Sequence, residues 1–258
     1  YSGVPTMHQA ILLRANKNKE AAKNLNLRLI RSSSASLPPA VFKDLNDAFN
    51  CPVIEAYGMT EATHQMTSNP LPPKQQKAGF VGLPAGPEVC IMSENGDMMK
   101  QGEEGEVCIK GENVTLGYEN NEEANKTSFT NGWFRTGDQG YFDEDGYLKI
   151  SGRLKEIINK GGEKISPLEV DNVLMDHPSI DQAVCFGYED KMLGENIASA
   201  IIIKSGEMCS EDDVLKYAQE KLAKFKIPKK IFFVDEIPKG ATGKLQRNVL
   251  AKKFGLSS

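Results

Sequence analysis

The sequence predicts three parts: a beginning in α/β, as part of a doubly wound sheet; a small β-barrel; and a separate α+β domain that closes the chain. Three observations predict this. Strand and helix signals alternate at the start. From about residue 76, short strands are joined by Gly, Asn and Asp turns. From about residue 153, helix-start signals alternate with apolar strands.

In residues 1–75, Arg28-Leu29-Ile30 is a short apolar run after a polar, helix-like stretch. Pro38-Pro39 then opens a helix in which Val41, Leu45 and Phe49 recur every four residues and share a face. Proline suits the first helical turn because its fixed φ is already helical. Val53-Ile54-Glu55-Ala56-Tyr57 reads as the next strand, and strand–helix–strand predicts parallel pairing. In residues 76–152, strands at 88–92, 106–110 and 146–150 are separated by Glu94-Asn95-Gly96-Asp97, Asn131-Gly132 and Asp143-Glu144-Asp145-Gly146. In residues 153–258, Ser166 is the expected N-cap, Pro167 takes the first helical position, and Glu169 is expected to complete a capping box. That helix should stop near His177-Pro178. Residues 183–187 and 197–203 read as strands. Ser210 is expected to cap a helix with Val214, Tyr217, Ala218 and Leu222 on one face. A strand at 230–234 and a last helix from about Leu245 follow.

Composition narrows the function. At 258 residues and 40% hydrophobic, the chain can bury a sizeable core. A net charge of -4 leaves no basic field to draw nucleic acid or an anionic membrane, and the lysines of 224–230 read as a solvated face. Cys51, Cys90, Cys108, Cys185 and Cys209 are scattered and form no Cys-x-x-Cys, as expected of packed, reduced thiols. No secretory signal and no membrane-spanning run is visible, so a cytoplasmic location is the expectation. The end, Ser257-Ser258, is not a Ser-Lys-Leu tail, and a peroxisomal address stays open if the chain continues. The sequence does not set an oligomeric state.

Four clusters hold residues with chemistry. Tyr57-Gly58-Met59-Thr60-Glu61 follows a strand. It is either a plain strand end or a ligand site at the carboxyl edge of a parallel sheet, with a ring for a base, a hydroxyl for phosphate and a carboxylate for Mg²⁺. Arg135-Thr136-Gly137-Asp138 is either a surface turn or a source of a carboxylate whose two oxygens suit ribose hydroxyls. The segment 152–164, with Arg153, Lys155, Gly161, Gly162 and Lys164, is either a charged linker or a hinge with a close approach to ligand. Pro238-Lys239-Gly240-Ala241-Thr242-Gly243-Lys244 is either a turn or a loop that delivers a lysine. Its glycines are too close together for a Walker phosphate loop.

The order of these clusters resembles the acyl-adenylate-forming, or AMP-binding, superfamily: acid–CoA ligases, luciferases and peptide-synthetase adenylation domains. The likeness extends over essentially the whole chain and is nearest to oxalate–CoA and coumarate–CoA ligases. It implies ATP-dependent activation of a carboxylate to an acyl-AMP, then thioester formation with coenzyme A. By this resemblance Tyr57 packs on adenine, with Gly58 beside it. Thr60 contacts phosphate, Glu61 holds Mg²⁺, Asp138 and Arg153 contact ribose, and Lys244 catalyses adenylation. Lys155 is the implied hinge of a C-terminal lid, and Gly161, Gly162 and Lys164 approach CoA. Coumarate–CoA ligases carry lysine where Asn159 stands, and Lys160 is the expected substitute.

The resemblance further implies that the family's phosphate loop lies upstream of Tyr1. The chain is therefore expected to be the C-terminal half of an enzyme, inactive without the other half. Ser32-Ser33-Ser34-Ala35-Ser36 and the polar run 60–69 point to a small polar acid such as oxalate, because unpaired hydroxyls penalise an apolar ligand. Ser34 and His64 are the candidate acid contacts; a structural role for His64 stands beside that reading. Two other functions compete: an adenylation domain of another branch, and a non-catalytic nucleotide-binding or interaction module.

Overall fold

The first sheet begins at the first residues of the computed structural model, which describes residues 1–239 and 246–256. Strand β1 (Ser2–Gly3) leads into α1 (Pro5–Lys17) and α2 (Lys19–Lys23), then β2 (Ile30–Ser32), α3 (Pro39–Phe49) and β3 (Val53–Tyr57). These three strands pair in parallel, with Ser2 opposite Arg31 and Ile30 opposite Val53. The helix α3 starts at Pro39 and ends at Phe49, stopped by the left-handed φ of 47° at Asn50. Phe42, Leu45 and Phe49 are its buried residues. Val41 stays half-buried, so the buried stripe starts one position later than the spacing predicts. Two short antiparallel strands, β4 (Thr67–Ser68) and β5 (Leu83–Pro84), extend the sheet beyond β3.

The second sheet is antiparallel. Its strands are β6 (Glu88–Met92), β7 (Gly105–Lys110), β8 (Phe129–Thr130), β9 (Trp133–Phe142) and β10 (Leu148–Arg153), with α4 (Glu122–Ser128) before β8. The path runs β10-β9-β7-β6, and β8 pairs with β9. Asn131 and Gly132 both take positive φ, 52° and 80°, in a two-residue hairpin that places Thr130 opposite Trp133. Between β7 and β9 the register slips. Glu106 faces Gln139, but Cys108 faces Arg135, so β9 carries a bulge at Thr136-Gly137-Asp138.

The third sheet has β11 (Ile158–Lys160), β12 (Glu163–Ile165), β13 (Ile180–Asp190), β14 (Gly194–Ile203) and β15 (Lys230–Phe233). Its path is β12-β11-β14-β13, with β15 added in parallel to β14. The helices α5 (Pro167–Met175) and α6 (Glu211–Lys221) bury Val170, Leu174, Val214 and Ala218 in a core with Ile158, Ile197 and Ile201. A second cluster holds Val184, Phe186 and Ala198 with Leu250 of α7 (Leu250–Lys253), and there Phe232 and Phe254 stack 4.3 Å apart.

The capping box expected at Ser166 does not form. Ser166 occupies the N-cap position, but its hydroxyl donates to the Ser151 carbonyl, and Glu169 pairs with Lys226 at 2.7 Å. With Glu169 turned to Lys226, the return bond of the box to the Ser166 backbone is not made. The box does form at α6, between Ser210 and Asp213. The chain divides into two compact units, Tyr1–Ile150 and Ser151–Ser258, and β10 spans that boundary in sequence. Among the described residues no helix is long and apolar enough to cross a membrane.

Candidate functional site

The carboxyl end of β3 folds back on itself at once. The Met66 amide donates to the Tyr57 carbonyl at 3.0 Å, and the residues between form a 3₁₀ turn at Thr60–Ala62 followed by left-handed Thr63 and His64. A Cβ on Gly58 would lie 2.3 Å from the His64 carbonyl group, so the reversal requires glycine there. The turn leaves Thr60 exposed. It also fixes Glu61 from both sides. The Glu61 carbonyl accepts from the Thr115 amide at 2.7 Å, and its carboxylate accepts from the Tyr118 hydroxyl at 2.8 Å. Burial pushes the Tyr118 phenol above its ordinary value, and the Glu61 carboxylate adds to the shift. The Tyr118 backbone is itself clamped by Asn125, whose side-chain amide accepts from Tyr118 N–H at 2.7 Å and donates to its carbonyl at 2.9 Å.

Asp138 reaches the same place through the bulge in β9. Gly137 takes φ 74° and donates its amide to Glu106 Oε1 at 2.9 Å. The Thr136 hydroxyl donates to the Val107 carbonyl at 2.7 Å and accepts from the Asp138 amide at 3.1 Å. Arg135 pairs with Glu106 at 2.7 Å. These bonds pin a segment that lies inside a strand, not in a surface turn. They turn Asp138, only 4% exposed, toward β3, where its Oδ2 accepts from the Tyr57 hydroxyl at 2.5 Å. The ring, the Asp138 carboxylate and the Glu61 turn thus share one neighbourhood.

Ser34 and His64 follow the carboxyl ends of the neighbouring strands β2 and β3, and both are exposed. Arg31 links the two loops by donating to Ser33 Oγ at 2.9 Å and to Gln65 Oε1 at 3.5 Å. Beneath them sits a residue that the sequence reading passed over. Glu55 is 3% exposed, its carboxyl accepts from the Gly79 amide at 2.8 Å, and burial pushes it up to about 8. A lone glutamate inside an apolar strand was the available signal.

In the second unit Arg153 and Lys155 are exposed, with Lys155 inside a 3₁₀ turn at Leu154–Glu156. Gly161 and Gly162 make the turn between β11 and β12 with φ of 62° and 96°. Asn159 accepts from the Gly162 amide at 3.1 Å and so closes that turn, a task a lysine could not perform. Lys160 follows Asn159 in β11. Its ammonium donates to the Phe225 carbonyl at 3.0 Å, and burial lowers its pKa from the ordinary value. Lys164 is exposed. Lys244 lies outside the described residues. Arg247, also missed in the sequence, is half-buried in a network with Glu156 and Asp171.

Two family models match the chain. One described as AMP-binding enzyme matches residues 1–119, and one described as AMP-binding enzyme C-terminal domain matches residues 169–244. An oxalate–CoA ligase of Arabidopsis thaliana is 52% identical over 98% of this chain and 49% of its own length. An oxalate–CoA ligase of Saccharomyces cerevisiae is 50% identical over 100% of this chain and 47% of its own. Among solved structures, ATP-bound MatB from Rhodopseudomonas palustris superimposes with a TM-score of 0.91 at 33% identity, over 98% of this chain and 50% of that one. The chain spans about half the length of the curated relatives it matches.

Proposed function

This chain belongs to the AMP-binding enzyme family, and from that premise we propose that it forms the C-terminal part of an ATP-dependent acid–CoA ligase. The observation that carries the proposal is the Tyr57–Asp138 pair, which sets an aromatic ring against a carboxylate at the carboxyl edge of a parallel sheet. A ring there can pack on adenine, and a carboxylate can accept from ribose hydroxyls. The exposed Thr60 hydroxyl beside Glu61 suits phosphate.

The reaction is a two-step exchange on carbon and phosphorus. An acid carboxylate attacks the α-phosphorus of ATP, and the bond to pyrophosphate breaks. The CoA sulfur then attacks the acyl carbon, and AMP leaves. Lys244 is the group we assign to the first step, because a compact ammonium stabilises charge that grows on the phosphoryl oxygens. Arg153 is assigned to ribose and Lys155 to the hinge, with Gly161, Gly162 and Lys164 beside CoA.

Among the described residues no group of three or more His, Cys, Asp or Glu could hold a metal ion by itself. Mg²⁺ is commonly bound through one or two carboxylates plus substrate phosphates, so Glu61 fits as its protein ligand. When bound, the ion would neutralise triphosphate charge.

The acid is proposed to be small and polar, oxalate first. The support is the hydroxyl-rich loop 32–36, the exposed Ser34 and His64, and two relatives named oxalate–CoA ligase. Acid-dependent ATP–pyrophosphate exchange by the whole protein, run with oxalate, acetate, coumarate and a long-chain acid, tests this. Oxalate should give the fastest exchange. Exchange with none of the acids would refute the ligase, and preference for the long-chain acid would refute the polar pocket. Lys244→Ala should slow exchange by about 10²–10³-fold and spare thioester formation from supplied acyl-AMP.

A further inference from the structure

Arg247 lies three residues beyond Lys244, and its guanidinium holds three acceptors at once. Its Nε donates to Glu156 Oε2 at 3.0 Å, its Nη2 to Asp171 Oδ2 at 2.7 Å, and its Nη1 to the Cys185 carbonyl. Asp171 is 3% exposed, and its Oδ1 also accepts from the Cys185 amide at 2.5 Å. The guanidinium is thereby built into α5 and β13. Just before it, the Gln246 amide donates to the Pro238 carbonyl at 3.0 Å.

We propose that Arg247 is a positioning residue that fixes the stem of the Lys244 segment and ties it to Glu156, beside Lys155. The inference rests on the reading of Lys244 as the adenylation lysine. Anchorage alone would need only Asp171 and the Cys185 carbonyl, both buried in the domain. Glu156 is different: its side chain is 40% exposed, and it directly follows the assigned hinge residue. Burial opposes the charge on Arg247, and its acidic partners overcome that opposition, so the guanidinium stays charged. Lysine cannot replace its planar fork, because one ammonium cannot span three acceptors in that geometry.

The test uses the whole protein with Arg247→Lys and Glu156→Gln, measuring ATP–pyrophosphate exchange and thioester formation from supplied acyl-AMP separately. Glu156→Gln changes an exposed carboxylate and should leave the melting temperature near that of wild type. Misplacing a catalytic group by about an ångström can slow a reaction about 10²-fold. Arg247→Lys should therefore lower kcat for exchange toward that extent. Glu156→Gln should lower it less, and thioester formation should persist in both. Equal losses in both steps would mean a merely structural role and overturn the inference, as would unchanged exchange in both variants. Wild-type protein with no acid-dependent exchange would sink the ligase reading itself. Exchange that Lys244→Ala abolishes but both other variants retain would sink only the role of Arg247.

Discussion

The Tyr118 hydroxyl and the Glu61 carboxylate form a pair in which one partner orients the other. Tyr118→Phe keeps the ring and removes only the donor. A hydrogen bond to a charged group contributes about 1.5–3 kcal/mol when buried, and Tyr118 is 36% exposed, so the lower end applies. The variant should raise KM for ATP in the exchange assay roughly tenfold, with thioester formation from supplied acyl-AMP unchanged; an unchanged KM would remove Tyr118 from the site. Glu55 makes a pH-dependent claim. Its carboxyl sits at about 8 in the fold against an ordinary 4.5, raised chiefly by burial. The folded state therefore keeps a proton that the unfolded chain has released. The contribution to stability is complete below the unfolded value and is lost as pH rises through about 8. Glu55→Gln should flatten the fall in melting temperature over that window, and parallel profiles for variant and wild type would contradict the assignment. Tyr118 carries no signal in the sequence, and the lone Glu55 in its apolar strand signals only that it is unusual, because what matters for both is their neighbours. Tyr118 meets a partner 57 positions away, and Glu55 meets the Gly79 amide 24 positions away.

The bulge in β9 is the element that makes the site, and Gly137 makes the bulge. A Cβ on Gly137 would meet nothing within 4 Å, so the cost of Gly137→Ala is purely that of its φ of 74°. Left-handed backbone costs an ordinary residue about 1–2 kcal/mol. Gly137→Ala should destabilise the protein by that amount in denaturant unfolding and raise KM for ATP, since Asp138 follows it directly. A variant with full stability and unchanged KM would show that the bulge does not aim Asp138. Strands at 53–57 and 88–92 are legible in the sequence because turn formers bound each apolar run, Pro52 and Gly58 around the first. The bulge is not legible. It exists because β7 and β9 pair out of step, and register is decided between strands distant in the chain. Ser166 shows the same limit: the local pattern Ser-Pro-x-Glu suits a box, but the Ser166 hydroxyl donates to the Ser151 carbonyl, fifteen positions back, and Glu169 pairs with Lys226, 57 positions on.

At the scale of the molecule, two compact units carry the assigned residues, with Tyr57, Glu61 and Asp138 in the first and Arg153, Lys155 and Lys164 in the second. The order of the motifs along the chain made the family legible, since order survives without knowledge of contacts. The ties of Arg247 to Glu156 and Asp171, 91 and 76 positions apart, were out of reach of any local pattern. In the proposed reaction an acid oxygen becomes bonded to the α-phosphorus. The direct measurement is to supply the whole protein with ATP, CoA and oxalate whose carboxyl oxygens carry a heavy isotope, and to weigh the products. Heavy oxygen is expected in AMP. Heavy oxygen in phosphate, or formation of ADP in place of AMP, would contradict the proposed reaction.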